Sequence, residues 1–157
     1  EPSYSFFAGV SPLVIPFNIG SIEAEAAVAQ GTSLGASASY TELNDTRYST
    51  AEAKLRFYPS DNAFQGIALG IGAGLTRFSK LVTSCCGPGA LMTRESLDAP
   101  TIGMLIDYDW TPDAHNRRFV IGVGGEAKRI IATDDDRNRL GLQNAYLSGR
   151  LIVGLAF

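Results

Sequence analysis

Ser49-Thr50-Ala51-Glu52-Ala53-Lys54-Leu55-Arg56-Phe57-Tyr58-Pro59 is the stretch that decides the fold. From Ala51 to Tyr58, apolar side chains alternate with polar or charged ones. Successive side chains of a β-strand point to opposite faces, whereas an amphipathic helix repeats its apolar residues every three to four positions. The stretch therefore predicts a long β-strand with one apolar face and one charged face.

The same alternation recurs in seven further segments. Each is about 9–13 residues long, close to the roughly 9–11 residues of a tilted membrane-spanning strand and longer than the globular average of about 5–6. We predict an all-β fold, a closed eight-stranded antiparallel up-and-down barrel that forms a single domain over residues 1–157. The other segments are approximately Tyr4–Ile15, Ser21–Ala29, Ser33–Leu43, Gln65–Arg77, Pro100–Trp110, Phe119–Ile131 and Ala145–Phe157.

The polar faces of these segments carry both signs of charge. An eight-stranded barrel has an interior only just wide enough for side chains, and buried charges must be paired. Six acids and four bases set among Gly and Ser suit such an interior, so we predict a polar, side-chain-filled lumen. Alternation alone also allows a soluble β domain with its charges in water. The predicted lumen charge network consists of Glu23, Glu25, Glu52, Lys54, Arg56, Asp107, Asp109, Glu126, Lys128 and Arg150.

The apolar faces carry aliphatic residues in mid-strand and aromatic residues nearer the strand ends. This distribution is typical of a lipid-facing belt with aromatic girdles. The aromatic residues are Tyr4, Phe6, Tyr40, Phe57, Tyr108, Trp110, Phe119 and Phe157.

The connections between segments differ in length. We predict short turns at Ala29–Thr32, Ser60–Phe64 and Thr111–Arg118, and long loops at Phe78–Ala99 and Ala132–Asn144. Outer-membrane barrels have short periplasmic turns and longer external loops, so the two long loops are expected on the outside.

Composition excludes several classes of protein. The net charge is −3 and no basic run occurs, so nucleic acid is not an expected partner. No stretch approaches the roughly 20 apolar residues of a membrane helix. The chain begins Glu1-Pro2-Ser3, without a basic and apolar leader, and is expected to be the mature form of an exported protein after removal of its signal peptide.

Residues that could carry chemistry are few. The single histidine, His115, falls in a predicted turn with no nucleophile motif beside it, so we expect no enzyme, no cofactor and no metal. Asp134-Asp135-Asp136, followed by Arg137-Asn138-Arg139, lacks the spacing of a calcium loop and is expected to be a solvated loop rather than a cation or headgroup site.

Cys85 and Cys86 are adjacent within the longest predicted loop. An oxidising compartment would favour a disulfide, either between these two residues or to a neighbouring copy of the chain. Closure within the pair is the preferred alternative.

Alternating Gly149, Leu151, Val153, Leu155 and Phe157 end the chain. This pattern resembles the C-terminal signature of outer-membrane barrels. With Ser11-Pro12-Leu13, Ala53–Pro59 and Gly70–Gly74, it makes the chain similar to small eight-stranded barrels of the OmpX, OmpW and OmpA transmembrane-domain kind. The resemblance implies a location in the bacterial outer membrane or at the cell surface, with membrane lipid and the barrel-insertion machinery as partners.

Three functions are compatible with this pattern. The first is an outer-membrane barrel with a structural or surface-contact role and no open pore. The second is a subunit that self-assembles with copies of itself into an extracellular filament or tube, with possible disulfide links. The third is a narrow channel for small solutes.

Overall fold

The computed structural model describes residues 4–13, 19–43, 46–83, 92–112 and 118–157. Each strand pairs antiparallel with its neighbours in sequence, and β1 pairs with β8, which closes the barrel. The predicted fold class is confirmed. The strands are β1 (Phe6–Val10), β2 (Ile19–Ala29), β3 (Thr32–Leu43), β4 (Thr46–Phe57), β5 (Gly66–Thr83), β6 (Met92–Trp110), β7 (Phe119–Ile130) and β8 (Ala145–Ala156).

β5 and β6 are much longer than the sequence pattern predicted. The segment Phe78–Ala99 was expected to be a loop, but Phe78 to Thr83 continue β5 and Met92 to Ala99 continue β6 in an unbroken ladder. Where this extension begins, the polarity of the alternation reverses. Phe78 and Ala99 are buried inside, whereas Arg77 and Asp98 are exposed outside. A search for apolar-out, polar-in alternation therefore stops where this reversal begins.

The connection between β7 and β8 also differs from the prediction, because it contains the short helix α1 (Asp134–Leu140). The Thr133 side chain accepts a hydrogen bond from the backbone N–H of Asp136, and Gly141 ends the helix in a left-handed conformation with φ of 64°. Leu140 is buried, and Lys80 Nζ donates to its carbonyl oxygen at 3.3 Å. The helix thus packs against the extended β5–β6 hairpin.

A tight turn joins β2 to β3, as the sequence predicts. Gly31 has a φ of 61°, and its carbonyl accepts a hydrogen bond of 2.7 Å from the Tyr58 backbone N–H. A Cβ at Gly31 would lie 2.7 Å from the Tyr58 carbonyl oxygen, so the turn requires glycine both for its backbone and for its space.

Two apolar clusters lie at the ends of the barrel interior. At the end that holds the C-terminus, Phe7 stacks on Phe64 with ring centroids 5.9 Å apart, and Ala156 packs beside them. At the other end, Phe78 makes edge-on contacts with Tyr48 and Tyr146, at centroid distances of 5.6 and 6.0 Å. The polar part of the interior lies between these clusters.

No helix in the described part of the chain is long and apolar enough to cross a membrane.

Candidate functional site: the charge network inside the barrel

The structure brings the ten charged residues of the predicted network together inside the barrel, in two layers. The first, the arginine layer, contains Arg56 and Arg150 with Glu23, Glu25, Asp107 and Asp109. The second, the lysine layer, contains Lys54 and Lys128 with Glu52 and Glu126. Lys54 Nζ lies 4.0 Å from Glu23 Oε2 and joins the two layers.

Arg56 is at the centre of the arginine layer, with its side chain 1% exposed. Its Nε donates to Asp107 Oδ2 at 2.7 Å, its Nη2 to Glu23 Oε2 at 3.1 Å, and its Nη1 to Glu25 Oε1. Arg150 donates to Glu23 Oε1 at 2.5 Å and to Asp109 Oδ1 at 2.7 Å. Each guanidinium therefore links carboxylates from different strands across the lumen.

The lysine layer is electrically balanced, because two ammonium groups meet two carboxylates. Lys128 Nζ lies 2.5 Å from Glu52 Oε1 and 3.5 Å from Glu126 Oε2. Lys54 Nζ lies 3.6 Å from an oxygen of each glutamate. The two additional carboxyl groups of the network therefore belong to the arginine layer.

Hydroxyl groups that sequence reasoning left out of the network complete it. Ser33 Oγ donates to Glu25 Oε2 at 2.6 Å, and the Tyr58 hydroxyl donates to Asp109 Oδ2 at 2.8 Å. Ser33 occupies an inward position of β3, and Tyr58, which directly follows β4, continues the inward positions of that strand. The period-two pattern itself could therefore have identified both. Between the lysine layer and the Phe78 cluster, Thr76 Oγ1 lies 3.0 Å from Thr50 Oγ1 and 3.3 Å from Thr101 Oγ1.

Inward glycines provide the space for these long side chains. A Cβ at Gly72 or Gly103 would lie 2.7 or 2.5 Å from Glu126 Oε1. A Cβ at Gly124 would overlap Asp107 Oδ1. The glycines of β5, β6 and β7 thus determine where the carboxylates of neighbouring strands can lie.

The outer wall is apolar around the barrel. Met104 is 74% exposed and Leu147 is 86% exposed, and aliphatic side chains on the other strands are exposed as well. Exposed aromatic residues concentrate at the end of the barrel that holds the C-terminus, where they are Phe6, Phe57, Tyr108, Trp110, Phe119 and Phe157. Tyr40 lies at the opposite end. Tyr4, predicted to face outward, packs instead against the interior cluster of Phe7 and Phe64.

Charged pairs mark the boundary of this apolar band at the end of the barrel opposite the C-terminus, which we call the upper end. Arg77 Nε and Nη2 donate to the two oxygens of Asp98 at 2.6 and 2.7 Å, and Arg47 Nε lies 3.1 Å from Glu42 Oε1. Because Arg77 donates to its carboxylate, the pKa of Asp98 is lowered. Between Arg77 and Ile67, about ten residues along a strand tilted by about 40° give a band about 25 Å tall, the usual height of a lipid-facing belt.

The other candidate residues are not part of the predicted network. His115, Cys85 and Cys86 lie outside the described residues. Asp134 to Arg139 lie in helix α1, where Arg137 pairs with Asp134. Within the described ranges no group of three or more His, Cys, Asp or Glu side chains is arranged to hold a metal ion.

Comparison with known proteins supports the architecture. No family model and no curated protein matches the chain. A solved structure that resembles it is the N-terminal β-barrel domain of Pseudomonas aeruginosa OprF, with a TM-score of 0.55 and 13% sequence identity over the whole of both chains. At this identity the similarity shows the fold alone, a β-barrel.

Proposed function

We propose that this chain is a bacterial outer-membrane β-barrel that spans the membrane without an open pore and acts at the cell surface. The proposal includes no catalytic role and no cofactor. Membrane lipid and the barrel-insertion machinery are the partners that it requires.

The observation that carries the proposal is the inside-out distribution of polarity. Charged residues such as Glu25 and Lys128 are 3% exposed, whereas aliphatic residues of the same strands face outward. A water-soluble protein rarely exposes continuous apolar patches larger than a few hundred Å². Lipid accepts such a surface, and the closed ladder leaves no strand edge between β1 and β8 at the C-terminal end.

The filled interior supports a role other than bulk transport. The two guanidinium groups of the arginine layer cross the lumen, and the Phe7 and Phe78 clusters lie on either side of the network. Solute passage would require breaking several buried ion pairs at once. We therefore place function on the external end, where the extended β5–β6 hairpin and α1 project beyond the apolar band.

Cell fractionation tests the proposal. The protein should require detergent for extraction from outer membranes and should change gel mobility on heating, because a folded barrel resists detergent until it is boiled. Planar bilayers containing the protein should show no stepwise conductance. Extraction in buffer alone would overturn the membrane assignment, and regular conductance steps would favour a channel. Fibres in electron micrographs of detergent-free medium would favour the self-assembling subunit.

A further inference from the structure

The ladder between β1 and β8 is the shortest in the barrel wall, because β1 is short. β1 pairs with β8 only as far as Val10 opposite Val153, and the Ser11 N–H then bonds to the Ser21 carbonyl oxygen at 2.8 Å. Pro12 follows, and proline has no N–H for a ladder. Within the described ranges, β8 from Ala145 to Ile152 therefore pairs with β7 alone.

A cavity of about 460 Å³ lies at this place. Its lining includes Tyr146 and Ser148, which face the lumen, and also Leu147 and Leu151, which lie on the opposite face of the same strand. A cavity that contacts both faces of one strand passes around the edge of that strand. It therefore connects the upper lumen with the outer wall of the barrel.

The two parts of the cavity differ in chemistry. The inner part is rich in hydroxyl groups, including those of Ser39, Tyr48, Thr50 and Ser148, whereas the outer part is aliphatic. Lys128 and Arg150 line the floor, but both are held by carboxylates of the network. The Tyr48 ring packs against Phe78 and Tyr146, and its hydroxyl forms no hydrogen bond with the described part of the chain.

We propose that this cleft binds the uncharged polyhydroxyl headgroup of a single-chain amphiphile, with the headgroup inside the wall and the alkyl chain along Leu147 and Leu151. Hydroxyl donors and acceptors match a sugar or glycerol headgroup, and the neutralised cations give no preference for an anion. The proposal rests on the membrane location proposed above, because the alkyl chain must come from lipid.

Photolabelling in dilauroylphosphatidylcholine vesicles tests the proposal, since choline headgroups carry no hydroxyl. Dodecyl glucoside with a diazirine on its sugar should label Tyr48, Tyr146 or Ser148 saturably. The same glycoside with the diazirine at the chain end should label the outer wall instead. Heat-dependent gel mobility, measured first, establishes that the barrel is inserted, so failure of membrane insertion is distinguished from failure of binding.

Variants make the test specific to the cleft. Ser148→Trp fills the inner cavity and should reduce labelling by the sugar probe at least tenfold, and Ser39→Trp serves the same purpose if the first variant does not insert. Ser96→Trp, the matched control on the exposed face of β6, should label like the unmodified chain. Tyr48→Phe, which keeps the ring and removes the hydroxyl, should weaken binding about fivefold.

Three outcomes would overturn the proposal. One is unchanged labelling in both cavity-filling variants, and another is sugar-probe label found only on outward residues. In the third, a free glucose diazirine labels the cleft as well as the glycoside does, and the cleft would then take polyols from water rather than amphiphiles from the membrane.

Discussion

Arg56→Met is the change that most directly tests the interior network. Methionine has a similar length but no charge, so Glu23, Glu25 and Asp107 would each lose a guanidinium contact. Glu25 would keep its hydrogen bond from Ser33, but among the cations of the network it would keep only Arg150 Nη2, at 4.0 Å. Leaving one member of a buried pair without its partner typically costs about 3–5 kcal/mol. We therefore expect the unfolding equilibrium to shift by about two to three and a half powers of ten.

Urea titration of the barrel in lipid vesicles measures this shift. Trp110, the only tryptophan, is exposed on the outer wall, and its fluorescence should report loss of the lipid environment on unfolding. Arg77→Met is the matched control, because it breaks an exposed pair and should change stability far less. A loss below 1 kcal/mol for Arg56→Met, or equal losses for the two variants, would show that the network does not hold the barrel together as argued.

Three further predictions concern the lumen, the apolar outer wall and the exposed Arg77–Asp98 pair at its boundary. Gly124→Ala should destabilise the barrel by about 1–3 kcal/mol in the same urea assay, because the new methyl overlaps a network carboxylate, whereas Gly149→Ala, with no atom within 4 Å of its Cβ, should be nearly neutral. Met104→Arg on the lipid face should destabilise by about 2–4 kcal/mol and Ser96→Arg above the belt by about 0–1, so equal effects would contradict a membrane location. The pKa of the Asp98 carboxyl should lie below its ordinary value by carbon NMR, because Arg77 donates to it, and Arg77→Gln should return that pKa towards the ordinary value. Since the pKa is lowered on folding, its contribution to stability is present above the pKa of the unfolded chain and is lost as the pH falls through the lowered pKa.

The sequence pattern located every strand but misjudged where several of them end. β4 illustrates the success, because its alternation is regular and the structure places Thr46–Phe57 in a strand with Glu52, Lys54 and Arg56 inside. β5 illustrates the failure. Its outward residues are apolar as far as Leu75, but outward Arg77 is charged and inward Phe78 is apolar. Period-two alternation shows which side chains share a face of the strand. It does not show which face points outward once the strand extends beyond the apolar band.

The composition of the network could be predicted, but its pairing could not. Alternation within β4 predicts that Arg56 points inward, and alternation within β8 predicts the same for Arg150, because the face of a side chain depends only on its position in its own strand. Which carboxylate each guanidinium meets depends on the register and tilt of strands distant in sequence, as in the contact between Arg150 and Glu23. The division into a balanced lysine layer and an acid-rich arginine layer follows from that register.

Local alternation along the chain was therefore sufficient to predict the strands and which side chains share a face, since period two is a property of each strand alone. The mixture of acids and bases with Gly and Ser on the polar face was what predicted that the charges lie inside the barrel. The assembled barrel was needed to show the long β5–β6 hairpin, the Tyr4 side chain packed inward and the cleft beside β8. Those features depend on where neighbouring strands stop and on how much space remains inside, and both are set by contacts between residues far apart in the sequence.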